Sequence, residues 1–502
     1  MPHPSSLMNC LNPYLAVKPR RYIQKMRLST LHVLSDDELQ SIHQASLELL
    51  SGTGMVVHSR KVLELLSDHG ARVDPQASRV RIPPEMVEKA LSTVPPKIDL
   101  YNREKELSLT LGDGTPKAAS GHNAIFVLDM ETGERRSATK EDVADFARLS
   151  DALSNISVVG VQAMPQDVRP QATLLHAVEA VFNNCEKHLY FSPESAEVTT
   201  AIFDMARVVC DGEDLSSHPI LTCQLSSTSP FTWEGGAVEA VIETAKAGVP
   251  CCFLPQPFSG VTSPITLAGT LTVHNAELLS GVVISQLVRP GTPVIYGSAW
   301  TTFDMQKANV LIGSPEAGLM RIAGTQLARF YHMPSHTISP DSDSHCHDEQ
   351  NAWERLFTSM CALSSGIDLI VNAGMFATGL TVSFEQLVMD DEILGLLFRL
   401  LKGIEITEET IAADLIDRVG PGSNFLTEDH TLKYLRTAEH WQSSISNRCS
   451  YERWRQMGGP DVVQKAREKA REILKTHQPQ TLSDEVRKGI GEIIRAFEGR
   501  FG

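Results

Sequence analysis

The chain has 502 residues, 42% hydrophobic and 21% charged, which is enough apolar content to bury one large core or two medium ones and too much for a disordered chain. With 45 basic against 61 acidic residues, the formal charge of −16 disfavours a nucleic-acid surface or an anionic membrane, both of which select for positive patches. Apolar runs such as Val249–Phe253 and the segment around Ile393–Leu401 fall short of the ~20 residues a membrane span requires, and nine scattered cysteines without a CxxC pattern read as reduced thiols in the cytoplasm.

Residues 1–34 carry Lys18, Arg20, Arg21, Lys25 and Arg27 and no acidic side chain, and read as a flexible or subunit-bridging basic arm rather than a targeting peptide. In residues 35–115, Ser35-Asp36-Asp37-Glu38 is a capping box that opens a helix with apolar Leu39, Ile42, Leu47, Leu49 and Leu50. Gly52 and Gly54 stop it. A second helix runs from Arg60 to His69, and a third from Pro83-Pro84 to the stop at Pro95-Pro96, so this region reads as a helical cap.

Beyond Gly114 short apolar runs alternate with long amphipathic stretches. The runs predict strands at Ala124–Asp129, Ser157–Gln162, His188–Ser192, Ile220–Ser226, Val249–Pro255, Pro293–Gly297, Ser335–Ser339 and Asp368–Asn372. Helices are expected at Ala172–Asn183, Ala196–Val209, Gly236–Ala247, Leu267–Val288, Ser314–Tyr331 and Asp348–Ser365. Strands too continuously apolar to have a wet face indicate an α/β fold with a covered parallel sheet, and a count near eight favours a closed (β/α)8 barrel over residues 116–405. Residues 406–502 read as a helical extension, with the stripe Val462, Ala466, Ala470 and Ile473 packed on the barrel or on a second subunit.

In such a barrel the residues that follow each strand converge on one mouth. The densest polar cluster there is Asp341–Asp348, in which His345 and His347 share one face of an extended segment. One reading is a metal-dependent barrel hydrolase that uses His345 and His347. No GxSxG, GxGxxG or P-loop pattern occurs, so neither a serine nucleophile nor a phosphate cradle is expected. Aromatic residues make up only 6% of the chain, yet Phe258, Tyr296, Trp300, Phe303 and Phe376 fall at expected strand ends. With carboxylates and no lysine nearby, they suit a quaternary ammonium ion.

The chain resembles the trimethylamine methyltransferase family, in its branch without pyrrolysine. The resemblance rests on Leu34–Leu39 with Ile42–Leu50, on Gly260–Gly269, on Gly313-Ser314-Pro315-Glu316, and on Trp441 with Asn447-Arg448, Tyr451 and Trp454. It implies a TIM barrel that moves a methyl group from an amine to the cobalt of a separate corrinoid protein, with no metal held by the chain itself. Members that use trimethylamine carry pyrrolysine in the region that corresponds roughly to Asp341–Asp348, where this chain has ordinary residues. A quaternary amine, glycine betaine first and then proline betaine or carnitine, is thus the implied substrate, and no covalent nucleophile is needed. On this reading His345 or His347, helped by Gln256 and Asn372, binds the substrate carboxylate. Tyr296, Trp300 and Phe376 surround the cation, with Asp343 as counter-charge. A homo-oligomer is expected, with no nucleic-acid or membrane partner.

Overall fold

The protein is described from a computed structural model that covers residues 31–437 and 439–501, so the reading of residues 1–34 as an arm lies almost wholly outside the described residues. Eight parallel strands close into a barrel in chain order: β1 (Lys117–Ser120), β2 (Val158–Gly160), β3 (His188–Phe191), β4 (Leu221–Leu225), β5 (Cys251–Phe253), β6 (Val294–Ser298), β7 (Ser335–Ile338) and β8 (Leu369–Ala373). The helices that follow them are α1 (Lys140–Ala152), α2 (Thr173–Asn184), α3 (Ala196–Val209), α4 (Gly235–Ala247), α5 (Leu267–Val288), α6 (Pro315–Phe330), α7 (Glu349–Ser364) and α8 (Phe384–Lys402). This is the TIM-barrel fold. Each strand is buried on both faces, which is why its sequence does not alternate.

The first barrel strand is not the expected Ala124–Asp129. It is Lys117–Ser120, whose small Ala118 and Ala119 carry little strand signal. The apolar run downstream supplies Phe126–Leu128, which pairs with Arg135–Ser137 and Thr381–Val382 in a small sheet completed by Met375–Phe376. That sheet follows the C-terminal ends of β1 and β8 and therefore stands at the rim of the mouth.

The region before the barrel holds strands as well as helices. A hairpin of Ile98–Tyr101 and Leu107–Leu111 packs Ile98, Leu100, Leu109 and Leu111 into one cluster with barrel residues Ala119, Val158, Tyr190, Cys252, Ile295, Leu369 and Val371. The hairpin leads into β1 and Tyr101 bonds Pro219, just before β4, so it closes the N-terminal end of the barrel. The lumen is then reached from the C-terminal mouth alone. The helix Asp36–Gly52 begins with the Ser35/Glu38 capping box and lies on α5, where Ser46 meets Asn275. Helix α5 is long and apolar enough to cross a membrane by length and composition, but 78% of that window is buried inside the protein. After α8, the helix Val462–Thr476 buries Ala466 and Ala470 against it.

Candidate active site

Four of the expected site residues lie away from the lumen or open to solvent. Tyr296 is fully buried, but Ile295 and Gly297 are the inward residues of β6, so the Tyr296 ring points out of the barrel. There its hydroxyl donates to Asn275 Oδ1 at 3.0 Å and its ring stacks on Tyr331. Trp300 packs against His274, with ring centroids 3.9 Å apart, between the barrel and its outer helices. Gln256 and His345 are exposed. Neither aromatic ring is therefore placed to enclose a cation in the mouth.

The segment after β7 is a self-braced loop. Asp341 joins two strand ends: it accepts from Arg321 Nη2 at 2.6 Å and from Asn372 Nδ2 at 2.8 Å. Asn372 sits at a bulge in β8 with φ of 135°, a conformation costly for a residue with a Cβ, and this bond holds it there. Asp343 accepts from the Ile312 and Gly313 amides at 2.8 and 3.0 Å, so it fastens the loop before α6 and is not free as a counter-charge; burial pushes its carboxyl upward. Ser342 donates to Glu354, and Asp348 caps α7 through the Asn351 amide. The hydrogen bond to Asp348 raises the exposed Cys346 thiol, which removes it as a ready thiolate nucleophile. His347 contacts Phe376, with ring centroids 5.0 Å apart, and Ser383, and burial lowers it to about 4. His345 and His347 do not converge, and among the described residues no three His, Cys, Asp or Glu side chains are grouped to hold a metal.

The polar groups that do meet inside the barrel come from strands whose interior polar residues the reading passed over. Tyr190 of β3 crosses the lumen to His336 of β7. Their rings stack with centroids 5.5 Å apart, and Tyr190 Oη lies 3.3 Å from His336 Nε2. Tyr190 Oη also donates to Gln224 Oε1 of β4 at 2.9 Å, and His122, just after β1, stands edge-on to Tyr190 at 5.3 Å. Glycines lie beside both residues on the adjacent strands: Gly160 pairs with Tyr190, and Gly297 with His336. Desolvation drives His122 down to about 4 and His336 to about 3, so both imidazoles are neutral near pH 7. A polar residue inside a continuously apolar strand was the available clue. The arrangement offers a neutral, aromatic floor of buried groups, suited to positioning a substrate rather than attacking it.

Comparison with known proteins agrees with this architecture. The family model described as trimethylamine methyltransferase (MTTB) matches residues 15–498. Trimethylamine methyltransferase MttB of Desulfitobacterium hafniense (strain DSM 10664 / DCB-2) is 36% identical over 469 residues, covering 93% of this chain and 94% of its own. Glycine betaine methyltransferase of Desulfitobacterium hafniense (strain Y51) is 32% identical over 462 residues, covering 91% and 95%. In three dimensions, the crystal structure of the Methanosarcina barkeri monomethylamine methyltransferase (MtmB) matches with a TM-score of 0.50 over 92% of this chain and 94% of that one, at 13% identity, a likeness of fold. Matched over nearly its whole length, the chain belongs to the trimethylamine methyltransferase family.

Proposed function

We propose that this protein transfers a methyl group from a quaternary amine, such as glycine betaine or a related betaine, to the Co(I) of a separate corrinoid protein in the cytoplasm and releases the tertiary amine. The observation that carries this reading is the loop Asp341–Asp348. It consists of ordinary residues, and Asp341, Ser342, Asp343, Ser344 and Asp348 are bonded within the loop or to its supports. Such a loop offers no electrophile to which an amine would add. The substrate must arrive already activated, and a quaternary nitrogen does: the C–N bond breaks with its electron pair going to nitrogen, which leaves neutral. The pair for the new carbon–cobalt bond comes from Co(I). What the chain contributes is placement in line with cobalt and exclusion of water, and the hairpin-closed barrel limits approach to one mouth. The relatives include one named for glycine betaine, which supports a betaine within the family's range.

The test is methyl transfer to a corrinoid protein held as Co(I), followed by visible absorbance, across glycine betaine, proline betaine, carnitine, choline and trimethylamine. Methylation is expected with a quaternary amine and not with trimethylamine. Turnover of trimethylamine alone, or of none of the five, would overturn the proposal.

A further inference from the structure

The polar groups of the barrel floor have a proton inventory that can be worked out. Tyr190 spends its hydroxyl proton on Gln224 Oε1, so the contact with His336 Nε2 is made by an imidazole N–H that donates to Tyr190 Oη. His336 Nδ1 then carries a lone pair, and that buried atom has no partner. His122 stands edge-on to Tyr190, and the buried His122 Nδ1 is also without a partner. Nearby, Gln162 Nε2 donates to the Ala373 carbonyl at 2.9 Å, and Gln162 Oε1 is left unpaired. Native interiors leave few such atoms unmatched, and these lie together at one end of one barrel.

Unpaired lone pairs in a low-dielectric lumen act through space, and they give the floor a negative potential. The network consists of Tyr, Gln and His side chains with the Cys252 thiol beside Tyr190, and among the described residues no lysine or arginine hydrogen-bonds to it. The buried guanidinium groups near the strand ends, Arg321 of α6 and Arg355 of α7, are matched by Asp341 and Asp390. His122 is partly exposed and Gln224 is 9% exposed, so these two face the opening, while Tyr190 and His336 lie beneath them.

We propose that His122 and Gln224 form the surface on which the cationic N-methyl head of the substrate sits, and that Tyr190 and His336 are positioning residues that fix it from below. The proposal rests on the quaternary-amine reading and adds which end of the substrate the barrel recognises. A carboxylate tail is repelled by the same lone pairs and is not held by the floor. Aromatic edges and faces around the head add cation–π attraction without any formal negative charge.

Calorimetric titration of the full chain with tetramethylammonium chloride tests this, with uncharged 3,3-dimethylbutan-1-ol and sodium acetate as comparison ligands. Tetramethylammonium is expected to bind and the other two are not. His122→Phe, which keeps a ring but removes the acceptor, is expected to weaken binding about tenfold, and His122→Lys to abolish it. Tyr190→Phe keeps the ring and cuts the link to Gln224. It is expected to weaken tetramethylammonium binding by several-fold and, in turnover, to raise KM by a larger factor than it lowers kcat. Should His122→Lys fail to fold, His122→Phe and Tyr190→Phe still decide the matter. Equal tetramethylammonium affinity in the parent and in His122→Phe, or acetate binding that His122→Phe removes, would overturn the proposal. Tetramethylammonium binding that depends on His122 in a protein inert toward every quaternary amine would instead count against the methyltransferase reading and leave the site intact.

Discussion

Asp341 is a single side chain on which two strand ends depend. Among the described residues its carboxylate is the one ion-pair partner of Arg321, and both groups are nearly fully buried. Removing the negative charge leaves a guanidinium in the interior without compensation, a change that costs about 3–5 kcal/mol where it has been isolated. Asp341→Asn is therefore expected to lower the guanidinium-denaturation stability by that amount and to free Asn372 from its strained conformation. A loss below about 1 kcal/mol would show that the pair contributes little. The same scale explains why the expected aromatic cage did not form. Side chains alternate along a strand, so an error of one position turns a lining residue into an outer one. Tyr296 lies beside Gly297, the inward position, and faces helix α5 instead. His336 and Tyr190 were legible only as polar interruptions inside apolar strands, a weaker cue than a residue at a strand end.

Elements were more legible than residues because hydrophobic period is read over many positions at once. Helices Ala196–Val209 and Leu267–Val288 have the boundaries their periodicity predicts, and seven of the expected strand runs overlap a barrel strand, five of them containing it whole. The first strand was missed because Lys117–Ser120 is short and made of small residues, whereas Phe126–Leu128 has the bulk of a strand but serves the rim. Helix α5 shows what an element adds beyond its apolar pattern. From it, Glu277 accepts the Phe231 amide at 2.8 Å and the Ser229 hydroxyl at 2.7 Å, which holds the loop after β4. Burial raises its carboxyl from 4.5 to about 7. A group raised in this way keeps its proton in the folded chain while the unfolded chain releases it, so stability falls as pH rises from about 4.5 to about 7 and is level above that. The linkage amounts to at most about 3 kcal/mol. Glu277→Gln is expected to flatten the urea stability profile across this window. A profile as steep as that of the parent would assign the pH dependence to other groups.

At the scale of the whole molecule, the surface opposite the barrel wall bears on assembly. Helix α7 presents Trp353, Leu356, Phe357 and Met360 to solvent at spacings of three and four, with Trp353 61% exposed. Leu319 of α6 extends the stripe, since Gly318 beside it lies against Phe357. A continuous row of large apolar side chains on a chain with a formal charge of −16 is a costly surface to leave in water, and such patches mark association sites. The same helix braces the loop Asp341–Asp348 through Glu354, so a partner seated on its outer face would stiffen one wall of the mouth. Self-association along α7 is the expected consequence. Light scattering on a sizing column should give a multiple of the 55.1 kDa chain mass, and Trp353→Glu with Phe357→Glu should return it to 55.1 kDa. If the multiple survives both charges, the copies meet through another face, and if the parent is already monomeric, the stripe is covered by a different partner or by none.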